Sequence, residues 1–509
     1  MNLNRRNFLF GSAAASALAG CSTAKVGVRE LKPGEKRRVA MIGYGIQMRC
    51  TLLPSVLGKA KGTEKVRNLV TVVAVCDCDK VRREAGKKAV DECYKNSECR
   101  AVADFREIIN DPTIDAVCIA TPDHWHAYMS VEAMKHGKDV YCEKPLTFCV
   151  DEARKVIAAQ KKYDRVFQTG SMQRSWDVFR TAVMIVRNGF IGDVKYVDAN
   201  YGKGGAKLGG PSHPVRFFDE PKNAATEGAP NPDVDWNMWL GPAKWRPYSD
   251  QLAPRGINKF YPMFWRFDDD IGTGYNGDWG AHHLDIAQWG LDMDRSGPYR
   301  IVRSDEPYST DLFHGGRRQF GMKMIFKKPY GDVELYHGPF GTWGTVFYGT
   351  KGIVAVNRGK IAVWEGSGVK PTAEIRKQLG NATFKGMALV AASIGKDYGT
   401  DAQAKKDNAL DNVLAKLKAK YKLDTAPVQL YKSPNQILNF VECIESRKPT
   451  ISPAEVGGRG AILCQLCNMS YVYDTGFGWD PDKNDFSDGN PMGISLKRDF
   501  CRNGWEVVV

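Results

Sequence analysis

The chain is predicted to be an α/β protein of two domains: a doubly wound parallel sheet first, then an α+β unit with an open, mostly antiparallel sheet. Three observations predict this. Between residues 38 and 172, β-branched and apolar runs alternate with helical patterns, the order of a parallel sheet with crossover helices. Beyond that, strand-like runs follow one another with few helices between, which suits antiparallel pairing. With 509 residues and 43% apolar content, the chain has core enough for both.

The first strand, Arg38 to Ile42, runs straight into Gly43-Tyr44-Gly45 and a helix-like stretch to Leu57. Glycines at such a turn let the backbone approach a pyrophosphate resting on the positive end of the next helix, with Gly43, Gly45 and Ile46 facing it. Met48 takes the third fingerprint position in place of Gly or Ala, so helix and strand must pack differently here. The second strand, Val70 to Cys76, ends in Asp77. A carboxylate there would grip the adenosine ribose hydroxyls and exclude a 2′-phosphate, which favours NAD over NADP. The third, Ala116 to Ala120, leads into Thr121-Pro122-Asp123-His124-Trp125-His126, and the fourth, Asp139 to Cys142, ends in Glu143-Lys144-Pro145. Val166 to Gly170 reads as the next strand. Each notable residue falls at a strand's carboxyl end, where open parallel sheets bind ligands. Alone, Glu143-Lys144 reads equally well as a surface ion pair. Beside a nicotinamide ring, Lys144 would face a substrate hydroxyl.

Phe179 to Asn188 is a helix stopped by Gly189, and Val194 to Tyr201 opens the second set of strands. These resume at Arg300–Ser304, Phe320–Phe326, Val333–Tyr336, Thr345–Tyr348, Ile353–Val356 and Ile361–Trp364. Between them lies a long Gly-, Pro- and aromatic-rich region, Gly202 to Phe267. Its Trp236, Trp239, Trp245, Tyr248, Tyr261, Phe264 and Trp265 could stack on a pyranose or simply form core. Asp268-Asp269-Asp270 reads as a solvated loop. In Gly277-Asp278-Trp279-Gly280-Ala281-His282-His283-Leu284-Asp285, spacings of four and three put Asp278, His282 and Asp285 on one helix face. An imidazole near neutrality can take a hydroxyl proton as hydride leaves the same carbon, with a carboxylate one turn away to orient it. The same run also fits an amphipathic helix with satisfied core histidines. His124, His126 and His283 invite a zinc reading, but no third spacing supports it, and no metal is predicted. Lys370 to Lys432 is charged and helical in pattern, and a further helix spans Asn435 to Ser446.

On the Gly43-Tyr44-Gly45, Thr121-to-His126, Glu143-Lys144-Pro145 and Gly277-to-Asp285 motifs, the chain resembles the glucose-fructose oxidoreductase/inositol dehydrogenase/rhizopine catabolism (Gfo/Idh/MocA) family from Arg38 to about Gly457. The resemblance implies a Rossmann domain holding tightly bound NAD through Gly43, Gly45, Ile46, Asp77, Thr121, Pro122, His124, His126, Glu143 and Lys144. It also implies Lys144, Asp278 and His282 as the catalytic set, and subunit contacts through the second sheet, hence a homo-oligomer. Asp235-to-Pro242 recurs in exported members, and Ile451-to-Glu455 resembles the family's closing segment. The implied activity is oxidation or reduction at a secondary carbinol of a sugar or glycoside, as in a glycoside 3-dehydrogenase. Two alternatives stand beside it: an NAD-dependent glycosidase that oxidises C3 transiently, whose exported forms carry a different motif at Gly277 to Asp285, and a non-catalytic sugar-binding lipoprotein.

Asn4-Arg5-Arg6-Asn7-Phe8-Leu9-Phe10, an alanine-rich stretch and Leu18-Ala19-Gly20-Cys21 read as a twin-arginine signal with a lipobox. That apolar stretch is too short to span a bilayer. Cys21 would become the lipidated first residue, so the only membrane attachment expected is a lipid anchor. A protein folded around its dinucleotide can leave only by a route that passes folded chains, which predicts an exported lipoprotein facing the periplasm or the outer envelope. The predicted organisation is signal 1–21, tether 22–37, NAD-binding domain 38–172, substrate and oligomerisation domain 173–457, and closing segment 458–509.

The formal net charge of +14 loses the two signal arginines, and the remaining Lys and Arg are interspersed with acids. This suits an anionic cofactor and envelope surfaces, and no nucleic acid is expected. Of thirteen cysteines, Cys76, Cys78, Cys118 and Cys142 sit in or beside strands as small hydrophobes, and Cys464 and Cys467 share a helix face. Cys93 and Cys99 are the best disulfide candidates.

Overall fold

The structure is a computed structural model that describes residues 29–200, 227–257, 264–304, 321–338, 343–380, 386–393, 409–490, 492–502 and 504–509. The signal with Arg5, Arg6 and Cys21, the first part of the tether, and Tyr261 lie outside the described residues.

The first sheet comprises β1 (Arg37–Ile42), β2 (Val70–Cys76), β3 (Arg100–Val102), β4 (Ala116–Ile119), β5 (Asp139–Cys142) and β6 (Phe167–Thr169), in the order β3-β2-β1-β4-β5-β6. All its pairings are parallel. The order reverses between β1 and β4, the switch point where such sheets open a crevice. Register makes that crevice chemically dense: Ile42 pairs with Cys76 and with Ile119, and Ile119 pairs with Cys142. The next residue of each strand therefore joins one row, bringing Gly43, Asp77, Ala120 and Glu143 to the same edge.

Met48 is fully buried at the start of the helix after β1, which opens with a wide π-type turn, Met48–Leu52. The turn accommodates the side chain that stands where a small residue is usual. Helix α1 (Lys80–Tyr94) is capped by Asp79, whose carboxylate accepts from the Val81 and Arg82 amides. Helices α2 (Asp123–Lys135) and α3 (Val150–Tyr163) follow β4 and β5.

Helix α4 (Asp177–Arg187) leads into the second sheet, which contains β7 (Val194–Asn200), β8 (Arg300–Ser304), β9 (Gly321–Lys328), β10 (Gly331–Gly338), β11 (Thr345–Gly349), β12 (Gly352–Asn357), β13 (Lys360–Glu365), β14 (Ala388–Ser393), β15 (Phe477–Asp480) and β16 (Asp485–Phe486). Among the described residues its order is β14-β13-β12-β11-β7-β10-β9-β8-β15-β16. The β7–β10 pair is parallel and the other recorded pairs are antiparallel. β14 lies within the segment expected to be helical; its Ala388-Leu-Val-Ala-Ala-Ser sequence is a fair helix former, but pairing with β13 overrides that preference.

Helix α5 (Ala281–Gly290) is buried along its whole length and packs on β7 and β11. Helix α6 (Gln436–Ser446) returns to the first domain, and α7 (Ala454–Tyr473) packs on both α3 and α5. It runs unbroken through the expected boundary at 457/458. Gly457 does not stop it but lets it approach β6, since a Cβ there would fall 1.9 Å from Thr169 Oγ1. The described cysteines form no disulfide, and Cys93 and Cys99 remain thiols. Cys99 is buried with its Sγ on the Arg100 carbonyl, a satisfied setting that needs no partner sulfur.

Candidate active site

A cavity of about 360 Å³ opens at the switch point and is lined from both domains. At one end lie Gly43, Gly45, Ile46, Asp77 and Arg82; at the other lie Glu143, Lys144, Asp278, Trp279 and His282, with Thr121, Pro122 and His126 also on the wall.

Gly43 has φ +85°, and a Cβ there would come within 2.8 Å of the Ala120 carbonyl oxygen. A Cβ on Gly45 would meet no protein atom within 4 Å, so the turn presents bare backbone to the cavity. Asp77 accepts hydrogen bonds from the Tyr44 amide (2.7 Å) and the Asp79 amide (2.9 Å), tying the β2 end to the glycine turn. Arg82, beside it, is engaged by Asp79 and the Pro254 carbonyl. The Thr121 hydroxyl is buried with no partner among the described residues. A bare glycine turn, a carboxylate at the β2 end and an unpartnered hydroxyl are a donor set that fits a dinucleotide.

At the other end Lys144 Nζ donates to Asp278 Oδ1 (2.6 Å) and to the Asp278 carbonyl oxygen (2.8 Å). Arg266 Nε lies 3.5 Å from Asp278 Oδ2. Burial alone would raise the Asp278 pKa, but the Lys144 and Arg266 charges outweigh it and hold the group at about 2. The expected partnership of Asp278 with His282 is thus replaced by one with Lys144. Asp278 lies in a π-type turn, Asn276–Gly280, that precedes α5, so the simple four-residue helical spacing does not apply. His282 is 5% exposed, its Nδ1 has no hydrogen-bond partner among the described residues, and burial, then the Lys144 and Arg358 charges, pushes its pKa well below the usual value. Burial thus favours its neutral imidazole form.

Asp285, expected on the same face, instead forms a buried two-pronged pair with Arg174 at 2.8 Å on each side. Glu143 lies under Lys144, accepting from Gln47 Nε2 (3.0 Å), the Tyr141 hydroxyl (3.3 Å) and the Lys144 amide (3.3 Å). Its pKa is raised by burial.

The histidines of α2 separate. Two residues along a helix turn about 200°, so His124 and His126 face opposite ways. The His126 ring nitrogens lie 2.7 Å from the Pro145 carbonyl oxygen and 2.9 Å from that of Thr121, bracing two cavity walls. His124 does not line the cavity; its Nε2 meets the Trp239 carbonyl oxygen at 3.1 Å, and burial lowers its pKa to about 3. Among the described residues no cluster of three His, Cys, Asp or Glu could hold a metal ion.

The aromatic-rich insertion covers the Asp77 end. The Lys80 amide donates to the Asp233 carbonyl (2.8 Å) and the Asp235 amide to that of Cys78 (3.1 Å), while Val234, Met238 and Pro254 line the cavity. Trp236 and Trp239 stack at 4.8 Å with Tyr248 edge-on, so most of these rings are the insertion's own core. Trp239 and Trp265 also line the cavity, whereas Trp245 is 64% exposed. Asp268 is no solvated residue: it is 1% exposed, bound to Arg246 and raised by burial to about 6.

A C-terminal strap fastens this cover. Arg502 donates to the carbonyls of Gly241 (2.7 Å) and Asn237 (2.7 Å), and Trp505 packs against Trp125, Tyr128 and Phe105. Trp125 in turn donates to the Trp239 carbonyl. Gln47, Arg266, Arg358 and the strap were not singled out by sequence reasoning; of these only Arg266 carried a signal, an arginine set among Phe264, Trp265 and Phe267.

Comparison with known proteins agrees with this architecture. Residues 37–171 match the family model described as oxidoreductase family, NAD-binding Rossmann fold, and residues 216–321 match the same family's C-terminal alpha/beta domain. The chain is 29% identical over 133 residues to inositol 2-dehydrogenase 1 of Mycolicibacterium vanbaalenii, covering 26% of this chain and 39% of that one. It is 26% identical over 219 residues to a glycosyl hydrolase family 109 protein of Shewanella baltica, covering 39% and 46%. The chain spans between 26% and 40% of the length of the first curated relatives it matches. In fold it resembles a levoglucosan dehydrogenase solved with NADH and levoglucosan, with a TM-score of 0.51, 15% identity, and coverage of 88% of this chain and 100% of that one.

Proposed function

We propose, from the matches of residues 37–171 and 216–321 to the two domain models of the Gfo/Idh/MocA oxidoreductase family, that the chain is an NAD-dependent enzyme of that family interconverting a secondary hydroxyl and a ketone on a sugar or glycoside. The observation that carries this reading is the contact of Lys144 with Asp278 in a cavity that also holds the Gly43-Tyr44-Gly45 turn and His282. The names of the inositol dehydrogenase and glycosyl hydrolase relatives support the sugar or polyol class.

Gly43, Gly45, Ile46, Asp77 and Thr121 would hold NAD, which when bound supplies a two-electron hydride acceptor. The Lys144 ammonium would donate to the substrate oxygen, favouring negative charge as it develops there. Asp278 fixes that ammonium in place. His282, neutral through burial, is available to take the hydroxyl proton. Its lowered basicity makes it a weak base, so Lys144 must supply much of the stabilisation at the oxygen. Pro145 and Thr121, braced by His126, keep this end rigid.

Incubating the loaded protein with a panel of sugars and glycosides, with products followed by mass and reduced cofactor by absorbance, tests this. Loss of two hydrogens with Lys144→Met and His282→Asn each at least about a hundredfold slower is the expected result. Cleavage of the glycoside would instead favour the transient-oxidation glycosidase, and unchanged rates in either variant would remove that residue from the mechanism. The proposal includes export: Arg5 and Arg6 as the twin-arginine pair and Cys21 as the lipidated residue, with a homo-oligomer formed through the second sheet.

A further inference from the structure

Lys144 and Asp278 come from different domains, yet they are joined at two atoms: Lys144 Nζ donates to the Asp278 carboxylate (2.6 Å) and to its main-chain carbonyl oxygen (2.8 Å). The second bond involves the backbone of the Asn276–Gly280 turn, so the pair forms only where two loops are set against each other to within about 0.5 Å. No side chain of the turn separates them where they meet. A Cβ on Gly277 would fall 3.4 Å from Pro145 Cγ and 1.7 Å from Thr273 Oγ1, so the turn rests directly on the residue after Lys144.

One face of α7 holds both loops. Gln465 Nε2 donates to the carbonyl oxygen (2.9 Å) and hydroxyl oxygen (3.2 Å) of Thr147, in the loop that Lys144 opens. Asn468 Nδ2 donates to the Thr273 carbonyl oxygen (2.9 Å), and its Oδ1 accepts from Nδ2 of Asn276 (2.7 Å), the first residue of the turn that carries Asp278. Positions i and i+3 share a helix face and lie about 4.5 Å apart along its axis. The spacing of the two grips is therefore set by a rigid helix rather than by either loop, and α7 packs against both that turn and α3, which follows Thr147. From the first domain Asp123 completes the hold, its carboxylate accepting from the Thr273 amide (3.1 Å) and hydroxyl (2.7 Å).

Leu463, Leu466 and Cys467 show that apolar side chains pack this helix well. Gln465, 4% exposed, stands in the same core as an amide. Apolar burial is non-directional, whereas hydrogen bonds fix distance and direction, and here those bonds end on the two loops that carry the pair. We propose that Gln465 and Asn468 are positioning residues, with α7 acting as a two-point jig that sets Lys144 against Asp278. For its consequence in turnover this rests on the sugar-oxidoreductase reading above, to which it adds the groups that align the pair.

The test uses NAD-loaded protein with Gln465→Leu and Asn468→Leu, which remove the bonds at similar volume, and with Asn468→Asp, which keeps the acceptor for Asn276. The first measurement is the rate at which ethyl acetimidate amidinates Lys144, read by peptide mass against Lys88, whose side chain is 77% exposed, in the same sample. Losing a bond worth about 1 kcal/mol should speed the reaction at Lys144 by about threefold or more in both Leu variants, with an intermediate rate in Asn468→Asp and none of this at Lys88. The second measurement is turnover of a sugar that the wild type oxidises. There kcat should fall by about tenfold or more while KM and NAD affinity stay within about twofold. Introduced into Lys144→Met, the same changes should cost less than about twofold, since the group they align is gone. If a Leu variant does not fold, Gln465→Glu and Asn468→Asp, which keep each side chain's shape, carry the same comparison. Wild-type reactivity of Lys144 in these variants, or an equal fall in kcat with and without Lys144, overturns the inference and leaves the oxidoreductase reading intact. Faster amidination of Lys144 in a protein that turns over no sugar upholds the jig and sinks the oxidoreductase reading.

Discussion

Trp505→Ala is expected to loosen the hold on NAD without touching the cavity. Trp505 does not line it, but its ring packs at 4.8 Å from Trp125, 5.3 Å from Tyr128 and 6.0 Å from Phe105. Trp125 then carries the contact inward, donating to the Trp239 carbonyl at 3.2 Å, and Trp239 is part of the cover. Each such ring pair is worth about 0.5–1.5 kcal/mol beyond its area, and a fully buried Trp→Ala change costs about 3–5 kcal/mol. Trp505 is only half-buried, so about 2 kcal/mol is the reasonable figure for its removal. If the strap must lift before the cover opens, that becomes about a thirtyfold rise in the open population, at 1.4 kcal/mol per tenfold. Release of labelled NAD into an excess of unlabelled cofactor, measured by rapid filtration, should accelerate by that factor. Hydrogen exchange across residues 231–254 should rise with it, and Arg502→Gln should act in the same direction. A variant that melts at lower temperature yet releases NAD within threefold of the wild-type rate would show that the strap stabilises the fold and does not guard the cofactor.

Gly45→Val projects a side chain into the cavity rather than into protein, so NAD affinity should drop by at least about a hundredfold, some 2.7 kcal/mol, while the melting temperature of the apo form stays put; unchanged affinity would move the dinucleotide elsewhere. Burial first of all depresses His124 and His337 to about 3, His283 to about 4 and His282 well below the usual 6.5. The unfolded chain therefore takes up these protons near pH 6.5 while the folded chain does not, and stability should fall from pH 7 to 5.5 by up to about 1.4 kcal/mol per pH unit per histidine. The buried carboxyls oppose this by taking up protons in the folded state: burial raises Asp268 to about 6 and moves Asp77, Asp123, Asp139, Glu143, Asp269 and Asp285 in the same direction. The histidine share is therefore read by difference, and His337→Phe should lessen the loss of stability on acidification by up to about 1.4 kcal/mol per pH unit; a pH dependence identical to wild type would contradict it. For export, Arg5→Lys with Arg6→Lys should strand folded, NAD-bound protein in the cytoplasm, and Cys21→Ser should yield soluble protein or unprocessed precursor; fractionation of normally exported active protein from the double-lysine variant would show a signal of the general kind.

What the sequence made legible was local, and what it hid depended on topology. β1, β2, β4 and β5 could be read because apolar branched runs end at once in Gly43, Asp77, Thr121 and Glu143, and parallel register then aligns those ends without further information. β3, three residues long, offers too little pattern to read. The Asp278 and His282 pair was legible as a motif but not as a geometry. A π-type turn re-aims Asp278, and its partner Lys144 comes from a strand more than a hundred residues earlier. His124 was misplaced because a motif names both histidines while a helix can point only one into the cavity. Arg358 lay further from reach, since nothing around Asn357-Arg358-Gly359 distinguishes it from any hairpin tip. It joins the cavity because β12 stands between β11 and β13 in a sheet whose helix α5 carries His282 across the interface. The division follows the chemistry. Groups placed by the backbone of the first domain are read residue by residue, whereas the part of the cavity wall that Arg266 and Arg358 supply becomes visible only once the second domain is folded against the first.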